Sequence, residues 1–172
     1  IMCRNNGIVL SIDNYPPASY SQYYNRTEQA NVADYVITMA YDEYYSGSEE
    51  AGPVSSLKYV KDSVKNTIDQ VPAEQVIIAL PFYSRLWKET TKNGSVELSS
   101  EACSMRYASE IASGQGTGTV WDEEAGLDYI EYKSGGSLYK MWVENPKSLD
   151  LKTKAVTSGQ AAGMAFWKLG RE

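Results

Sequence analysis

Short apolar segments alternate with polar or helical segments along most of the chain, and this alternation constrains the fold more than any other feature. The apolar segments are residues 7–15, 33–45, 74–85 and 161–170. They are rich in Val, Ile, Ala and Leu and are bounded by Gly, Pro or polar residues, which is typical of buried strands. Strands that alternate with helices predict an α/β fold with a parallel sheet and right-handed crossovers.

The clearest predicted helix covers residues 52–72. Its apolar residues recur at helical spacing, Ser55 or Ser56 lies near its amino-terminal cap, and Pro72 follows its end. A second helix is predicted over 145–159. A polar connector with a short helix follows the first strand.

Residues 86–144 break this rhythm. We predict a helix over 99–113, a flexible turn over 114–118, and then three antiparallel strands, the last two joined by a turn at 134–136. The sequence therefore predicts two parts: a parallel α/β part formed by residues 1–85 and 145–172, and a small α+β insertion at residues 86–144.

Polar and aromatic residues follow the apolar part of each predicted parallel strand. They are Asp13 to Tyr15, Tyr41 and Asp42, Tyr83 and Arg85, and Trp167. In parallel α/β folds the carboxyl ends of the strands carry the functional site. We therefore expect a pocket there, although capping of a strand end is an alternative role for Tyr41 and Asp42.

Composition excludes several classes of function. The net charge of −6 and the pI of about 4.8 argue against nucleic acid or an anionic membrane as a partner. No apolar stretch approaches the ~18 residues of a membrane span. The chain has no histidine, which removes Ser-His-Asp and Cys-His catalysis and histidine-ligated metal sites. Cys3 and Cys103 are too far apart to suggest a disulfide framework, and we expect no cofactor.

The aromatic residues are mostly tyrosine, with 14 Tyr and 4 Trp against 2 Phe. Tyr and Trp combine a flat apolar face with a polar group, which suits the apolar face and hydroxyl rim of a sugar ring. Tyrosine-rich β structure explains the same composition, so this feature alone does not distinguish the two.

Five segments, in order, resemble the second half of the barrel of family 18 glycoside hydrolases. "MAYD" at 39–42 resembles the Met-x-Tyr-Asp motif of the sixth strand. "ALPFYSR" at 79–85 resembles the seventh-strand motif, with Ala and Ser in place of two Gly. An α+β insertion follows, then residues 139–156 resemble its exit and helix, and 162–172 resemble the eighth strand. The most similar members are bacterial spore-cortex and cell-wall N-acetylglucosaminidases.

The resemblance implies half of a TIM (β/α)8 barrel, namely strands five to eight. The family carries its acid in an Asp-x-x-Asp-x-Asp-x-Glu motif on strand four, and this sequence has no such string. The acidic run at 122–132 lies in the insertion and has the wrong spacing. We expect the chain to be a piece of a longer protein that is secreted and associated with the cell wall or spore. We expect the piece by itself to hydrolyse nothing.

By resemblance, the substrate's own acetamide oxygen attacks the anomeric carbon, a known exception to the two-carboxylate scheme. Tyr41 would hydrogen-bond that oxygen, and Asp42 would bind sugar hydroxyls or the acetamide region. Trp167 would be the floor on which the sugar stacks. The remaining predicted substrate-binding residues are Tyr83, Arg85, Asn14 and Met39.

Structural alternatives exist for several of these side chains. Trp167 is compatible with a core position in an apolar strand. Arg85 is equally compatible with a salt bridge to Asp13 or Glu43. Trp142 is expected in the core of the insertion, with a place in the cleft wall as the alternative.

Three classes of function remain open. The chain is part of a hydrolase of β-1,4-linked N-acetylglucosamine polymers, an inactive glycan-binding member of the same family, or a scaffold that uses the fold without a sugar site. The expected partner is an N-acetylglucosamine-containing glycan. Because a half barrel has open sheet edges, we also expect a homodimer or another pairing that covers them.

Overall fold

The computed structural model describes residues 2–92, 94–114 and 118–171, and these residues form a mixed α/β fold with two sheets. The helices are α1 (Met2–Asn5), α2 (Arg26–Val32), α3 (Leu57–Ile68), α4 (Met105–Gly114) and α5 (Pro146–Ser158). Two short 3-10 turns cover Ser19–Ser21 and Ala73–Gln75. None of the helices in the described ranges is long and apolar enough to cross a membrane.

The first sheet is parallel and contains four strands from the described residues. They are β1 (Ser11–Asn14), β2 (Tyr35–Met39), β3 (Val76–Pro81) and β9 (Gly163–Trp167), in the order β1-β2-β3-β9. Met39 is opposite Ala79, and Pro81 is opposite Trp167, so the strands end at a common edge. The predicted parallel sheet is confirmed.

One face of the parallel sheet packs on α3 and α5. Alternate residues of β2 and β3 point to this face, and they join the helices in a buried cluster. That cluster contains Val36, Ala40, Val60, Val64, Val71, Val76, Ile78, Leu80 and Val156. The predicted helix over 52–72 is confirmed, since the side chain of Ser56 caps α3 by accepting the Tyr59 amide.

The second sheet is antiparallel and follows the parallel strand β3 in the chain. Its strands are β4 (Tyr83–Lys92), β5 (Ser95–Ser104), β6 (Val120–Asp122), β7 (Leu127–Ser134) and β8 (Ser137–Val143), in the order β5-β4-β8-β7-β6. Gly135 and Gly136 join β7 to β8, with φ of 56° and 77°. A two-residue hairpin needs positive φ at both positions, so the predicted turn is confirmed.

The prediction for the first strand is wrong in length and burial. Only Ser11–Asn14 pair with β2, whereas Ile8 and Val9 precede the pairing and are 57% and 67% exposed. Within the described residues β1 is an edge strand, so no second neighbouring strand covers the apolar residues that precede it.

The prediction that residues 74–85 form one strand is also wrong. The parallel strand ends at Pro81, and Tyr83 begins β4 of the other sheet. Tyr83 and Arg85 therefore do not lie at the end of a parallel strand. They approach that end from the antiparallel sheet.

The predicted helix over 99–113 begins later than expected. Residues 95–104 form β5, which pairs with β4 from Tyr83 opposite Ser104 to Lys92 opposite Ser95. Val96, Leu98 and Ala102 alternate with polar residues in this segment, which is the strand period. The helix is Met105–Gly114. Of the turn predicted over 114–118, residues 115–117 lie outside the described residues.

Candidate functional site

A pocket of about 470 Å³ lies on the face of the parallel sheet that is opposite α3 and α5. Its floor comes from strand residues that alternate with the core residues: Ile37 and Met39 face the pocket, while Val36 faces the helices. At the carboxyl ends of the strands the wall is aromatic and acidic. The lining side chains there are Asp13, Tyr15, Tyr41, Asp42, Phe166 and Trp167.

Two aromatic rings from different strands meet in this pocket. The rings of Tyr41, after β2, and Trp167, at the end of β9, have centroids 6.4 Å apart and planes inclined by only 18°. Trp167 is 53% exposed, so it is not a core residue, and the alternative of a buried Trp is wrong. Together the two rings place apolar aromatic faces beside a carboxylate.

Asp42 is held at the rim by two residues of the antiparallel sheet. The Tyr83 hydroxyl donates to Oδ1 of Asp42 at 2.6 Å, and a terminal nitrogen of Arg85 lies 3.8 Å from the same oxygen. Asp42 has a φ of 55°, a left-handed conformation that Asp tolerates better than most residues. The alternatives that pair Arg85 with Asp13 or Glu43 are wrong, because its carboxylate partner is Asp42.

The phenols of Tyr41 and Tyr83 remain hydrogen-bond donors at neutral pH. Burial, with smaller contributions from Asp13 and Asp42, raises the pKa of Tyr41 above its ordinary value. Burial and the hydrogen bond to Asp42 raise the pKa of Tyr83 even further. A protonated Tyr41 beside an accepting Asp42 offers one donor and one acceptor to a bound molecule.

The structure brings most of the predicted substrate-binding residues together. Met39 and Trp167 line the pocket, and Tyr83 and Arg85 stand behind Asp42. Asn14 is different: it is fully buried and exchanges hydrogen bonds with the Gln29 amide, at 2.6 and 3.3 Å, away from the pocket lining.

Sequence reasoning missed four lining residues, namely Ile37, Ala79, Ala165 and Phe166. Ile37 lies two residues before Met39, so the strand period places both on one face. Phe166 stacks on Phe82, with ring centroids 4.4 Å apart. Phe82 follows β3 directly, so the pair joins the last two parallel strands beside Trp167.

Trp142 and Glu144 lie outside the pocket. The Trp142 indole donates to Asp122 at 3.0 Å and its ring contacts Tyr129, while the buried cluster of this sheet is built around its neighbour Met141. The expectation that Trp142 forms that core is wrong. Glu144 is buried and pairs with Lys152 of α5.

Glu43, next to Asp42, turns away from the pocket. Its carboxylate accepts hydrogen bonds from the Ser56 amide at 2.6 Å and the Ser56 hydroxyl at 3.1 Å, at the start of α3. Burial raises the pKa of Glu43, and these hydrogen bonds oppose the shift. Among the described residues, no group of three or more His, Cys, Asp or Glu is arranged to hold a metal ion.

Comparisons with known proteins agree on one family. The family model for glycosyl hydrolases family 18 matches residues 4–172. The Bacillus subtilis protein YdhD, whose name describes a sporulation-specific glycosylase, is 28% identical over 139 residues, or 80% of this chain. The cortical fragment-lytic enzyme of Bacillus subtilis is 24% identical over 140 residues, or 81% of this chain.

A solved structure supports the same fold. The chitinase of Cycas revoluta in complex with (GlcNAc)3 has a TM-score of 0.75 to this chain at 20% identity, and the match covers 99% of this chain and 55% of that one. The chain spans about a third of the length of the two Bacillus relatives, 32% in each case.

Proposed function

The chain belongs to glycosyl hydrolases family 18, and from this membership we propose that it is the substrate-binding half of a glycosidase barrel. The proposed ligand is a polymer of β-1,4-linked N-acetylglucosamine, either peptidoglycan glycan or chitin. In this proposal the four parallel strands are strands five to eight of a (β/α)8 barrel, and residues 86–144 are an insertion before the last strand.

The observation that carries the proposal is the meeting of Tyr41, Asp42 and Trp167 at one pocket. A sugar ring has an apolar face that packs on an aromatic plane, and hydroxyl and amide groups that need donors and acceptors. The exposed ring of Trp167 supplies the plane, with the near-parallel ring of Tyr41 beside it. The Tyr41 hydroxyl and the Asp42 carboxylate supply the polar contacts.

Each side chain then has a specific role. The Tyr41 phenol, held protonated by its raised pKa, donates to the acetamide oxygen of the sugar. This holds the acetamide in position to attack the anomeric carbon of its own ring. One oxygen of Asp42 is occupied by Tyr83, so the other is available to the acetamide N–H or a hydroxyl. Trp167 packs under the ring.

We propose that this chain alone binds glycan without cleaving it. Hydrolysis needs a group that protonates the leaving oxygen, and the family's acidic motif does not occur in these 172 residues. The same observation favours a second candidate, a catalytically inactive glycan-binding member of the family. The two differ in whether a longer protein supplies the acid.

The names of the two Bacillus relatives support a cell-wall or spore setting, with cortex peptidoglycan preferred to chitin as the substrate. We also propose that the longer protein is secreted. The (GlcNAc)3 ligand of the Cycas revoluta chitinase supports the amino-sugar and is compatible with either polymer.

The ends of the parallel sheet support a pairing that covers them. Within the described residues β1 and β9 each have one unpaired side, and Met164, Phe166 and Leu169 near β9 are 37%, 37% and 84% exposed. Open edges beside exposed apolar groups favour association. We therefore propose a homodimer or a swapped pair, and a monomer by light scattering at micromolar concentration would contradict it.

Titration with an N-acetylglucosamine disaccharide, followed by calorimetry, tests the pocket. Trp167→Ala is expected to weaken binding at least tenfold, because the stacking plane is lost, whereas Trp167→Phe should retain most of it. Trp121→Ala, a half-exposed tryptophan of β6, is the matched control. Equal affinity of Trp167→Ala and the unchanged protein would contradict the proposed pocket. Measurable hydrolysis of a chromogenic N-acetylglucosaminide would contradict the proposed inactivity.

A further inference from the structure

The residue that follows Asp42 is tied to a different part of the molecule. Asp42 lines the pocket and has a φ of 55°, a left-handed conformation. Glu43 lies outside the pocket lining, and its carboxylate accepts hydrogen bonds from the amide and the hydroxyl of Ser56, at 2.6 and 3.1 Å. A pocket carboxylate and a structural carboxylate are therefore adjacent in the sequence.

Ser56 is a rigid anchor for the Glu43 side chain. It is only 8% exposed and caps α3, because its hydroxyl accepts the Tyr59 amide at 3.0 Å. The helix itself is fixed in the buried cluster through Val60 and Val64. A carboxyl group is favourable at a helix amino terminus, since the first amides lack partners within the helix.

Other hydrogen bonds hold the backbone on both sides of Asp42. The Glu43 amide donates to the Val54 carbonyl at 2.9 Å. The Ser55 hydroxyl donates to the Ala40 carbonyl at 2.7 Å. The segment before α3 therefore binds the chain two residues before Asp42 and again one residue after it. The backbone at Asp42 is restrained by these contacts and does not depend on its own side chain.

This restraint differs from the contact that Tyr83 makes. The Tyr83 hydroxyl holds one oxygen of the Asp42 carboxylate, whereas the bonds of Glu43 hold the main chain that carries it. The position of a carboxylate depends on both, because a change in backbone dihedral angles moves the whole side chain.

We propose that Glu43 is a positioning residue for glycan binding. By anchoring on the cap of α3, it keeps the backbone of Asp42 in the left-handed conformation and the Asp42 carboxylate in the pocket. This inference rests on the proposed function, because the ligand is the glycan of the proposed pocket. Glu43 is outside the described lining of that pocket, so its effect on affinity passes through Asp42.

Calorimetric titration with an N-acetylglucosamine disaccharide measures this effect. Glu43→Ala is expected to weaken binding about threefold to tenfold, the range for the loss of one hydrogen bond. Glu43→Gln should retain most of the affinity, because its amide oxygen accepts from the Ser56 amide and its amide nitrogen donates to the Ser56 hydroxyl. Should Glu43→Ala not fold, Glu43→Asp carries the same test, since its shorter side chain withdraws the carboxylate from Ser56.

Thr67→Val is the matched control for a general loosening of the contact between β2 and α3. The buried hydroxyls of Thr67 and Thr38 lie 3.0 Å apart and join this helix to this strand away from the pocket lining. The variant should lower the urea midpoint and leave the disaccharide affinity unchanged.

A double-mutant cycle tests whether the effect passes through Asp42. In an Asp42→Gly background, Glu43→Ala should leave the remaining affinity unchanged, because the carboxylate that it positions is gone. An equal loss of affinity in both backgrounds overturns the inference, and so does full affinity of Glu43→Ala.

Amide hydrogen exchange measures the anchor without a ligand. The amide of residue 43, bonded to the Val54 carbonyl, should lose at least about tenfold protection in Glu43→Ala and keep its protection in Glu43→Gln and Thr67→Val. Full protection in Glu43→Ala overturns the inference. If the unchanged protein binds no disaccharide, the proposed function is contradicted, whereas the exchange result still decides whether Glu43 holds the backbone at Asp42.

Discussion

The hydroxyl of Tyr83 donates a hydrogen bond of 2.6 Å to Oδ1 of Asp42, and this contact joins the two sheets at the candidate site. Asp42 follows the parallel strand β2, whereas Tyr83 is the first residue of the antiparallel strand β4. The orientation of the pocket carboxylate therefore depends on a residue from the other sheet. A side chain that acts in this way positions a binding group without touching the ligand itself.

Tyr83→Phe is expected to weaken glycan binding several-fold, because one oxygen of Asp42 loses its donor and the carboxylate can rotate. The free energy of unfolding should fall by only about 1 kcal/mol, since Asp42 is partly exposed and water replaces the lost bond. Calorimetry with an N-acetylglucosamine oligosaccharide and urea denaturation measure the two effects. Tyr107→Phe, on the exposed face of α4, is the control, and an equal loss of affinity there would contradict the positioning role.

The left-handed conformation of Asp42 restricts which residues the position accepts. Asp42→Asn and Asp42→Gly should fold with similar stability, because both tolerate a φ of 55°. Asp42→Val should unfold with a free energy lower by about 1–2 kcal/mol than Asp42→Asn, the usual cost of positive φ for such a residue. Urea midpoints of the three variants measure this difference. Equal stability of the Val and Asn variants would mean that this backbone conformation is not required.

The parallel sheet was predictable because its signals are local. The apolar runs of β2, β3 and β9 and the apolar stripe of α3 appear within short windows of sequence. The hairpin of β4 and β5 was not predicted, since the polar Ser100 interrupts the apolar series of Val96, Leu98 and Ala102. The early end of β1 was missed for another reason: pairing partners, not local sequence, decide where an edge strand stops.

The site was predictable only in part. The positions of Tyr41, Asp42 and Trp167 follow from the rule that parallel strands share a carboxyl edge, and the structure places all three at one pocket, while their roles in binding stay predictions. The contact of Tyr83 and Arg85 with Asp42 depends on how the second sheet folds back. The burial of Asn14 depends on Gln29, 15 residues away in the sequence. No local pattern encodes such contacts.

The raised pKa of Glu43 predicts that the stability of the protein changes with pH. Because burial raises its pKa, the folded protein holds this proton at pH values where the unfolded chain has released it. The protein should therefore lose stability relative to Glu43→Gln as the pH rises from the ordinary value of 4.5 through the raised pKa. Urea denaturation of both proteins between pH 4 and 7 measures the difference. Glu74→Gln, in the exposed 3-10 turn before β3, is the control, and parallel curves for Glu43→Gln would contradict the shift.

The buried ion pair of Glu144 and Lys152 predicts that a variant lacking one partner is much less stable than a variant in which both partners are uncharged. Lys152 is fully buried, Glu144 is 2% exposed, and the Ser148 hydroxyl also donates to Glu144. Lys152→Met should lower the free energy of unfolding by about 3–5 kcal/mol, because it leaves a buried carboxylate without its counter-ion. The double variant Glu144→Gln with Lys152→Met should recover most of that loss, since neither remaining side chain is charged.

Urea denaturation of Lys152→Met, of Glu144→Gln and of the double variant gives the double-mutant cycle. Lys154→Met is the matched control on the same helix, because Lys154 pairs with Asp150 at an exposed position, where an ion pair contributes about 0–1 kcal/mol. If Lys152→Met were no more destabilising than Lys154→Met, the pair would not hold α5 against the end of β8. A double variant as unstable as the sum of the single variants would assign the loss to packing of the side chains, not to an unpaired charge.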